Sequence, residues 1–267
     1  MKYLLDHLNM LGAAVAGKQI LLLLDFDGTL SPIAPTPDDA VLAGEMRREL
    51  ERCAESSSCD VSVISGRALS DVKGKIGIPG ITYVGNHGLE IERPNEEPQR
   101  IALPQFQSVV RRMKVELAAR LASFDGAIIE DKGHSLAVHY RTASAEHRPL
   151  IKAVVHETVE AFGGERHVDV AVGSMVLELR PPIGCNKGTI VAELLESNRL
   201  KYGDRGFFAI YLGDDATDED AFKAIRGRGW GVLVGAPRIS HAEYYLKNQN
   251  EVRALLQTLA GRREEEA

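Results

Sequence analysis

The sequence predicts an α/β protein: a parallel-sheet core into which a small α+β domain is inserted. Three observations predict it. Short, continuous apolar runs alternate with amphipathic helical stretches along most of the 267 residues. Each run ends in polar or glycine-rich residues, as strands do when their carboxyl ends feed the ligand crevice of an open parallel sheet. The stretch between Pro104 and Pro181-Pro182 departs from this alternation, and prolines at both borders suit short, stiff connections between domains. The expected limits are 1–104 with 182–267 for the core and 105–181 for the insertion.

At the N-terminus, Leu4, Leu5, Leu8 and Leu11 recur at helical spacing and predict an amphipathic first helix. Ala14-Val15-Ala16 has the look of a signal-peptidase site, but Asp6 and His7 interrupt the apolar stretch that an export signal needs. Ile20–Leu24 is a continuous apolar run, the pattern of a strand buried on both faces, and it ends at Asp25. A helix is expected over 42–54. A strand at Asp60–Ile64 then ends in Ser65-Gly66-Arg67, and one at Ile81–Gly85 ends in Asn86-His87-Gly88.

In the insertion, Phe106, Val109, Val110, Met113 and Leu117 mark a helix over 105–123. Strands at Ala127–Glu130 and Leu136–Tyr140 follow, then a helix at 146–162 and strands at Val168–Val172 and Val176–Leu179. That is helix-strand-strand twice over, a self-contained α+β pattern. Back in the core, a helical stretch begins at Asn186-Lys187-Gly188 and runs through Leu195. Strands at Phe207–Leu212, ending in Gly213-Asp214-Asp215, and at Gly231–Val234 precede a last helix near 250–260. Gly261–Ala267, with Glu264-Glu265-Glu266, is expected to fray into solvent.

Composition removes several classes of function. Lys+Arg 32 against Asp+Glu 38 leaves a net charge of −6, the wrong sign for a generic nucleic-acid binder. Cys53, Cys59 and Cys185 form no CxxC pair, which argues against a disulfide scaffold, a structural zinc site and thiol redox chemistry. No apolar run approaches the roughly 18 residues that span a bilayer. A cytoplasmic monomer is expected, with neither nucleic acid nor membrane as partner.

The chemistry concentrates where the apolar runs end. Asp25 and Asp27, two residues apart in Asp25-Phe26-Asp27-Gly28-Thr29-Leu30, can both project into one crevice, and Gly28 permits the tight turn that aims them. A carboxylate can attack phosphorus to give an aspartyl-phosphate, and a second can protonate the departing alkoxide. Neither approaches a phosphate dianion without a cation between them. Ser65 offers a hydroxyl to phosphoryl oxygens, and Lys187, beside a helix N-terminus, offers a point charge. Asp214 and Asp215, with Asp218 behind them, supply the hard oxygen ligands that Mg2+ takes. Taken singly, each has an ordinary explanation: a turn, a loop serine, a surface lysine, a solvated acidic bend. Four of them at successive strand ends do not arise together by chance.

This series, Asp25-x-Asp27-Gly-Thr, Ser65, Lys187 and Gly213-Asp214-Asp215, resembles the four motifs of the haloacid-dehalogenase-like phosphatases. The finer resemblance is to the trehalose-6-phosphate phosphatase family. It is carried by Val84–Gly88, Ser135–Arg141, Leu177–Pro181, Asn186-Lys187-Gly188 and Gly213–Phe222, and it extends over about 20–235 with no departure at a catalytic position. The resemblance implies a Rossmann-like core with a small α/β cap domain inserted between Ser65 and Lys187. It also implies Asp25 as nucleophile and Mg2+ ligand. Asp27 would be the general acid and then the base, with its backbone carbonyl on the metal. Asp214 would be the third protein ligand with Asp215 or Asp218 near it, and Ser65 and Lys187 would hold the phosphoryl group.

In the cap, Glu130, Lys132, Arg141 and Glu178 fall where the family grips a phosphorylated disaccharide, and carboxylate, ammonium and guanidinium groups suit sugar hydroxyls. Arg67, Asn86 and His87 are expected near the cleft, His87 mainly as a loop former. His134 and His139 lie on the same cap strands and receive no role. Substrate access to such a cleft is expected to need cap movement. Phosphatases for sucrose phosphate, mannosyl-phosphoglycerate or glucosyl-phosphoglycerate share the core motifs, so only the cap separates them. A phosphomutase is a further relative in chemistry. A non-catalytic module regulating a synthase would be expected to lose Asp25, Asp27, Lys187 or Asp214, and all four are present.

Overall fold

The apolar runs become the inner strands of one sheet. A computed structural model of the chain describes residues 1–101, 103–164, 168–173 and 175–261. In chain order, β1 (Lys2–Tyr3) leads through a 3-10 turn (Leu4–His7) to α1 (Leu8–Val15), β2 (Gln19–Leu24), α2 (Gly44–Glu55) and β3 (Cys59–Ile64). Then come α3 (Leu69–Ile76), β4 (Thr82–Gly85), β5 (Glu90–Glu92) and β6 (Gln99–Arg100). The next group is α4 (Pro104–Leu121), β7 (Ile128–Asp131), β8 (Leu136–His139), α5 (His147–Ala161), β9 (Asp169–Gly173) and β10 (Val176–Arg180). The chain finishes with α6 (Lys187–Tyr202), β11 (Phe207–Gly213), α7 (Glu219–Ile225), β12 (Gly229–Val234), β13 (Tyr244–Leu246) and α8 (Gln249–Gly261).

Two compact units result, Met1–Gln99 with Asn186–Ala267, and Arg100–Cys185. The sequence placed these divisions at 104/105 and 181/182. One reason for the earlier start is that Leu103 already packs on the smaller unit's core.

The larger unit is built on a nine-stranded sheet in the order β1-β13-β12-β11-β2-β3-β4-β5-β6. β2 runs parallel to both β11 and β3, and β3 parallel to β4. In the register, Leu24 stands opposite both Leu212 and Val63, and Ile64 opposite Val84. The residues that follow β2, β3, β4 and β11 therefore emerge along one edge. Between β2 and β11 the strand order reverses, the place where open α/β sheets bind ligands. β2 reads as unbroken leucine because both its faces are covered: Leu22 and Leu24 enter one apolar cluster, Leu21 and Leu23 the other.

The expected amphipathic first helix is not continuous. Lys2 and Tyr3 are drawn into the sheet edge opposite Tyr244 and Tyr245, so the helix begins only at Leu8. Leu4 and Leu11 still reach the core, while Leu5 and Leu8 are half-buried against it.

The smaller unit has a four-stranded antiparallel sheet, β7-β8-β10-β9, packed on α4 and α5. Phe106, Val110, Met113 and Leu117 meet Ile151 and Val155 over Leu136, Val138, Leu177 and Leu179. Strand alternation sends the other residues to the opposite face, where Glu130, Ala137, Glu178 and Ala171 lie in one row across the four strands. Among the described residues no helix is long and apolar enough to cross a membrane. Gly261, expected in the frayed tail, closes α8, and Glu264-Glu265-Glu266 lie outside the described residues.

Candidate active site

Asp25 follows β2 directly, and its N–H still donates to Leu212 in the ladder with β11 at 2.9 Å. The chain then turns back on itself. The N–H groups of Leu30 and Ser31 both donate to Phe26, and Gly28 adopts φ +86°. A Cβ at Gly28 would stand 2.0 Å from Asp214 Oδ2, so only glycine lets the two loops meet this closely.

Lys187 is the first residue of α6, whose N-terminus is fixed by a reciprocal cap between Asn186 and Thr189. Its ammonium donates to Asp25 Oδ1 at 2.6 Å and to Asp218 Oδ1 at 2.7 Å, and all three groups are buried. Burial alone would lower the pKa of Lys187, but Asp218 and Asp25 outweigh it and hold the ammonium well above its usual range. Asp25 moves upward. Burial is the main cause and the Asp218 and Asp214 carboxylates add to it, while Lys187 opposes them.

Asp218 is fully committed. Oδ1 accepts from Lys187 and from the Tyr211 hydroxyl (2.6 Å), and Oδ2 accepts from the N–H groups of Asp214 (3.0 Å) and Asp215 (2.9 Å). Asp215 accepts from the N–H of Ala216 at 2.6 Å and so caps the short turn before α7. Asp214 is different. Its Oδ1 is buried with no hydrogen-bond partner among the described residues. Its pKa is pushed up to about 7 by burial and by the neighbouring Asp218, Asp215 and Asp27, against Lys187.

Oxygens of Asp25, Asp214 and Asp218 lie within 4.8 Å of one another. The Lys187 ammonium faces this excess of carboxylates, and Asp214 Oδ1 is buried with no hydrogen-bond partner among the described residues. Hard oxygens in that state fit a divalent cation, with Asp25 and Asp214 as side-chain donors and Asp218 too engaged to turn toward it.

Ser65 follows β3, buried, and its Oγ accepts from the N–H of Arg67 at 3.1 Å, which leaves the hydroxyl proton to donate elsewhere. Arg67, expected near the cleft, is bonded to Asp27. Nε and Nη2 reach the two carboxylate oxygens at 2.6 and 2.7 Å, Nη1 donates to Asp71 at 2.6 Å, and Nη2 also donates to the carbonyl of Pro37. The guanidinium lies over the Phe26 ring, 5.5 Å from its centroid. A lysine could not reproduce that fork.

Asn86 and His87 shape the loop after β4 rather than simply line a cleft. Both have left-handed backbones, φ 49° and 54°. Asn86 Nδ2 donates to Glu90 at 2.7 Å, the same carboxylate oxygen that caps the N–H of Leu69 in α3. The His87 ring packs on the Cα of Gly66, where a Cβ would meet it at 2.4 Å.

The remaining residues belong to the smaller unit. Lys132 donates to Glu178 at 2.6 Å in a buried pair, and His139 shares a 2.8 Å hydrogen bond with Glu130. Arg141 lies just beyond β8, half-buried, its carbonyl accepting from Arg148 at 3.1 Å. The sequence reading missed Tyr211, Glu90 and Asp71, and it assigned nothing to His139. Only Asp71, one helical turn after Arg67, carried a local signal.

A family model described as trehalose-phosphatase matches residues 23–252. Trehalose 6-phosphate phosphatase RA3 of Zea mays is 35% identical over 268 residues, which cover 94% of this chain and 72% of that protein. The trehalose-phosphate phosphatase of Mycobacterium tuberculosis is 37% identical over 238 residues, 88% of this chain and 59% of that protein. Among solved structures, the C-terminal domain of the C. albicans trehalose-6-phosphate phosphatase shares the fold, with a TM-score of 0.84 at 24% identity and 98% of each chain covered.

Proposed function

The chain belongs to the trehalose-phosphatase family, and on that premise we propose that it hydrolyses trehalose 6-phosphate to trehalose and phosphate in a Mg2+-dependent reaction through a phosphoryl ester of Asp25. The observation that carries the reading is the buried Lys187 ammonium held against Asp25, beside an Asp214 oxygen with no hydrogen-bond partner among the described residues. In this reading Asp25 attacks phosphorus in line, the P–O6 bond breaks with its electron pair on O6, and Asp27 gives O6 a proton. Asp27 then takes a proton from water as that water attacks the aspartyl-phosphate, which frees phosphate and restores the Asp25 carboxylate.

Lys187 and the Ser65 hydroxyl hold phosphoryl oxygens and answer charge as it spreads over them. Asp25, Asp214 and the backbone carbonyl of Asp27 would hold Mg2+. When bound, it would neutralise the phosphate dianion that a carboxylate must approach. Arg67 keeps Asp27 in place between its two proton transfers.

The smaller unit supplies sugar recognition in this proposal. Glu130 and Glu178 accept from sugar hydroxyls, Lys132 and Arg141 donate to them, and the hydrogen bonds to His139 and Lys132 fix the two carboxylates. The cytoplasmic location expected from the sequence belongs to the same reading; it is supported by the small number and scattered spacing of the cysteines, with no CxxC pair.

The test is phosphate release, with Mg2+, from trehalose 6-phosphate, sucrose 6-phosphate, mannosyl-3-phosphoglycerate and glucosyl-3-phosphoglycerate side by side. Preference for the first, lost on adding EDTA, is expected. Preference for another substrate would keep the core chemistry and discard the roles given to Glu130, Lys132, Arg141 and Glu178. Release from none would favour a non-catalytic module.

A further inference from the structure

We infer that Tyr211 is a positioning residue for the phosphoryl-binding lysine: its buried hydroxyl shares Asp218 Oδ1 with Lys187 and so keeps the ammonium extended toward Asp25. The inference rests on the roles proposed above for Asp25 and Lys187.

β11 reads Phe207-Phe208-Ala209-Ile210-Tyr211-Leu212-Gly213, and Tyr211 carries its one polar side chain. The ring is fully buried in an apolar cluster with Ala209, Val191 and Phe222. It stands edge-on to Phe222, with centroids 5.6 Å apart and planes at 85°. A phenylalanine would satisfy that packing equally well. The hydroxyl is therefore surplus to the core, and a buried hydroxyl is tolerated only where it is hydrogen-bonded. Its partner is the carboxylate that shares Lys187 with Asp25.

The geometry gives the bond a consequence. Both Asp218 oxygens are pinned, Oδ2 by two backbone N–H groups and Oδ1 by Tyr211 at 2.6 Å and Lys187 at 2.7 Å. Lys187 thus sits between two nearly equal bonds, 2.7 Å to Asp218 and 2.6 Å to Asp25. The Tyr211 proton occupies part of the charge that Oδ1 would otherwise direct at the ammonium. Without it, Oδ1 draws Lys187 more strongly and the ammonium withdraws from the phosphoryl side. Polar chains of this kind act as a unit in a dry interior.

The test compares Tyr211→Phe, which removes the oxygen alone, with Phe222→Leu, which loosens the same ring and leaves the hydroxyl. With trehalose 6-phosphate and Mg2+, Tyr211→Phe is expected to lower kcat about 10-fold while KM stays within about twofold, and to weaken inhibition by orthovanadate, a phosphoryl transition-state mimic, by about the same 10-fold. Phe222→Leu is expected to lower the melting temperature and keep kcat within about twofold. Parent-like turnover in Tyr211→Phe would overturn the inference. So would an equal loss of kcat in Phe222→Leu, since disturbed packing would then account for both. Failure of the unmodified chain to release phosphate would instead overturn the underlying reading of the site.

Discussion

Asp25→Asn is expected to lower phosphate release by at least about 10⁴-fold and to leave the melting temperature in EDTA unchanged or raised. The two halves of this result come from the same atoms. Asparagine keeps the shape of the side chain and the ladder bond from its own N–H to Leu212, and it removes the oxygen anion to which we assign the attack on phosphorus. At 4% exposure, that anion is crowded by Asp214 and Asp218, which push its pKa upward together with burial. Losing it relieves a buried negative excess, while Lys187 keeps its 2.7 Å bond to Asp218. A variant that melts normally and turns over near the parent rate would show that phosphorus is attacked by something other than Asp25. A variant that fails to fold would contradict the account of the charge balance, because the fold would then depend on the carboxylate rather than tolerate it.

How much of this site the sequence discloses follows from the kind of contact involved. Asp25, Ser65, Asn86 and Asp214 could be placed on one edge because strands buried on both faces read as apolar runs, and the polar residue that stops each run marks its carboxyl end. Lys187 was legible because Asn186 and Thr189 write a helix start beside it. β1 and β13, of two and three residues, are too short for any period to show. The partners of the placed residues were hidden for another reason. Arg67 reads as a free cation near a cleft until Asp27, forty positions earlier, is seen to fill its fork. Tyr211 reads as core, which its ring is; only the third dimension shows its oxygen on Asp218. Sequence spacing reports which edge a side chain reaches. Which hydrogen bonds it has already spent is a property of the packed chain.

Lys187→Ala is expected to remove activity by about 10³-fold and, unlike Asp25→Asn, to destabilise the fold by about 3–5 kcal/mol in EDTA. Lys187 is bonded to both members of the buried pair Asp25 and Asp218, and its own side chain is 4% exposed. Removing it strands two almost fully buried carboxylates, beside an Asp214 that burial and its neighbours already hold near pKa 7. Whatever proton uptake follows, the favourable ion pairs are lost and the buried oxygens keep their desolvation cost. Mg2+ should restore part of the stability, since a cation that binds only the folded chain adds RT ln(1 + [L]/Kd) and the cluster left behind is more negative than before. It should not restore turnover, because the divalent ion replaces charge without replacing the donor that Asp218 and Tyr211 hold in line with Asp25. Thermal melts of parent and variant, with and without Mg2+, separate these effects. Equal melting in EDTA would mean that Asp25 and Asp218 do not depend on Lys187 for their burial. A variant that Mg2+ returned to full activity would reduce the lysine to a counter-ion.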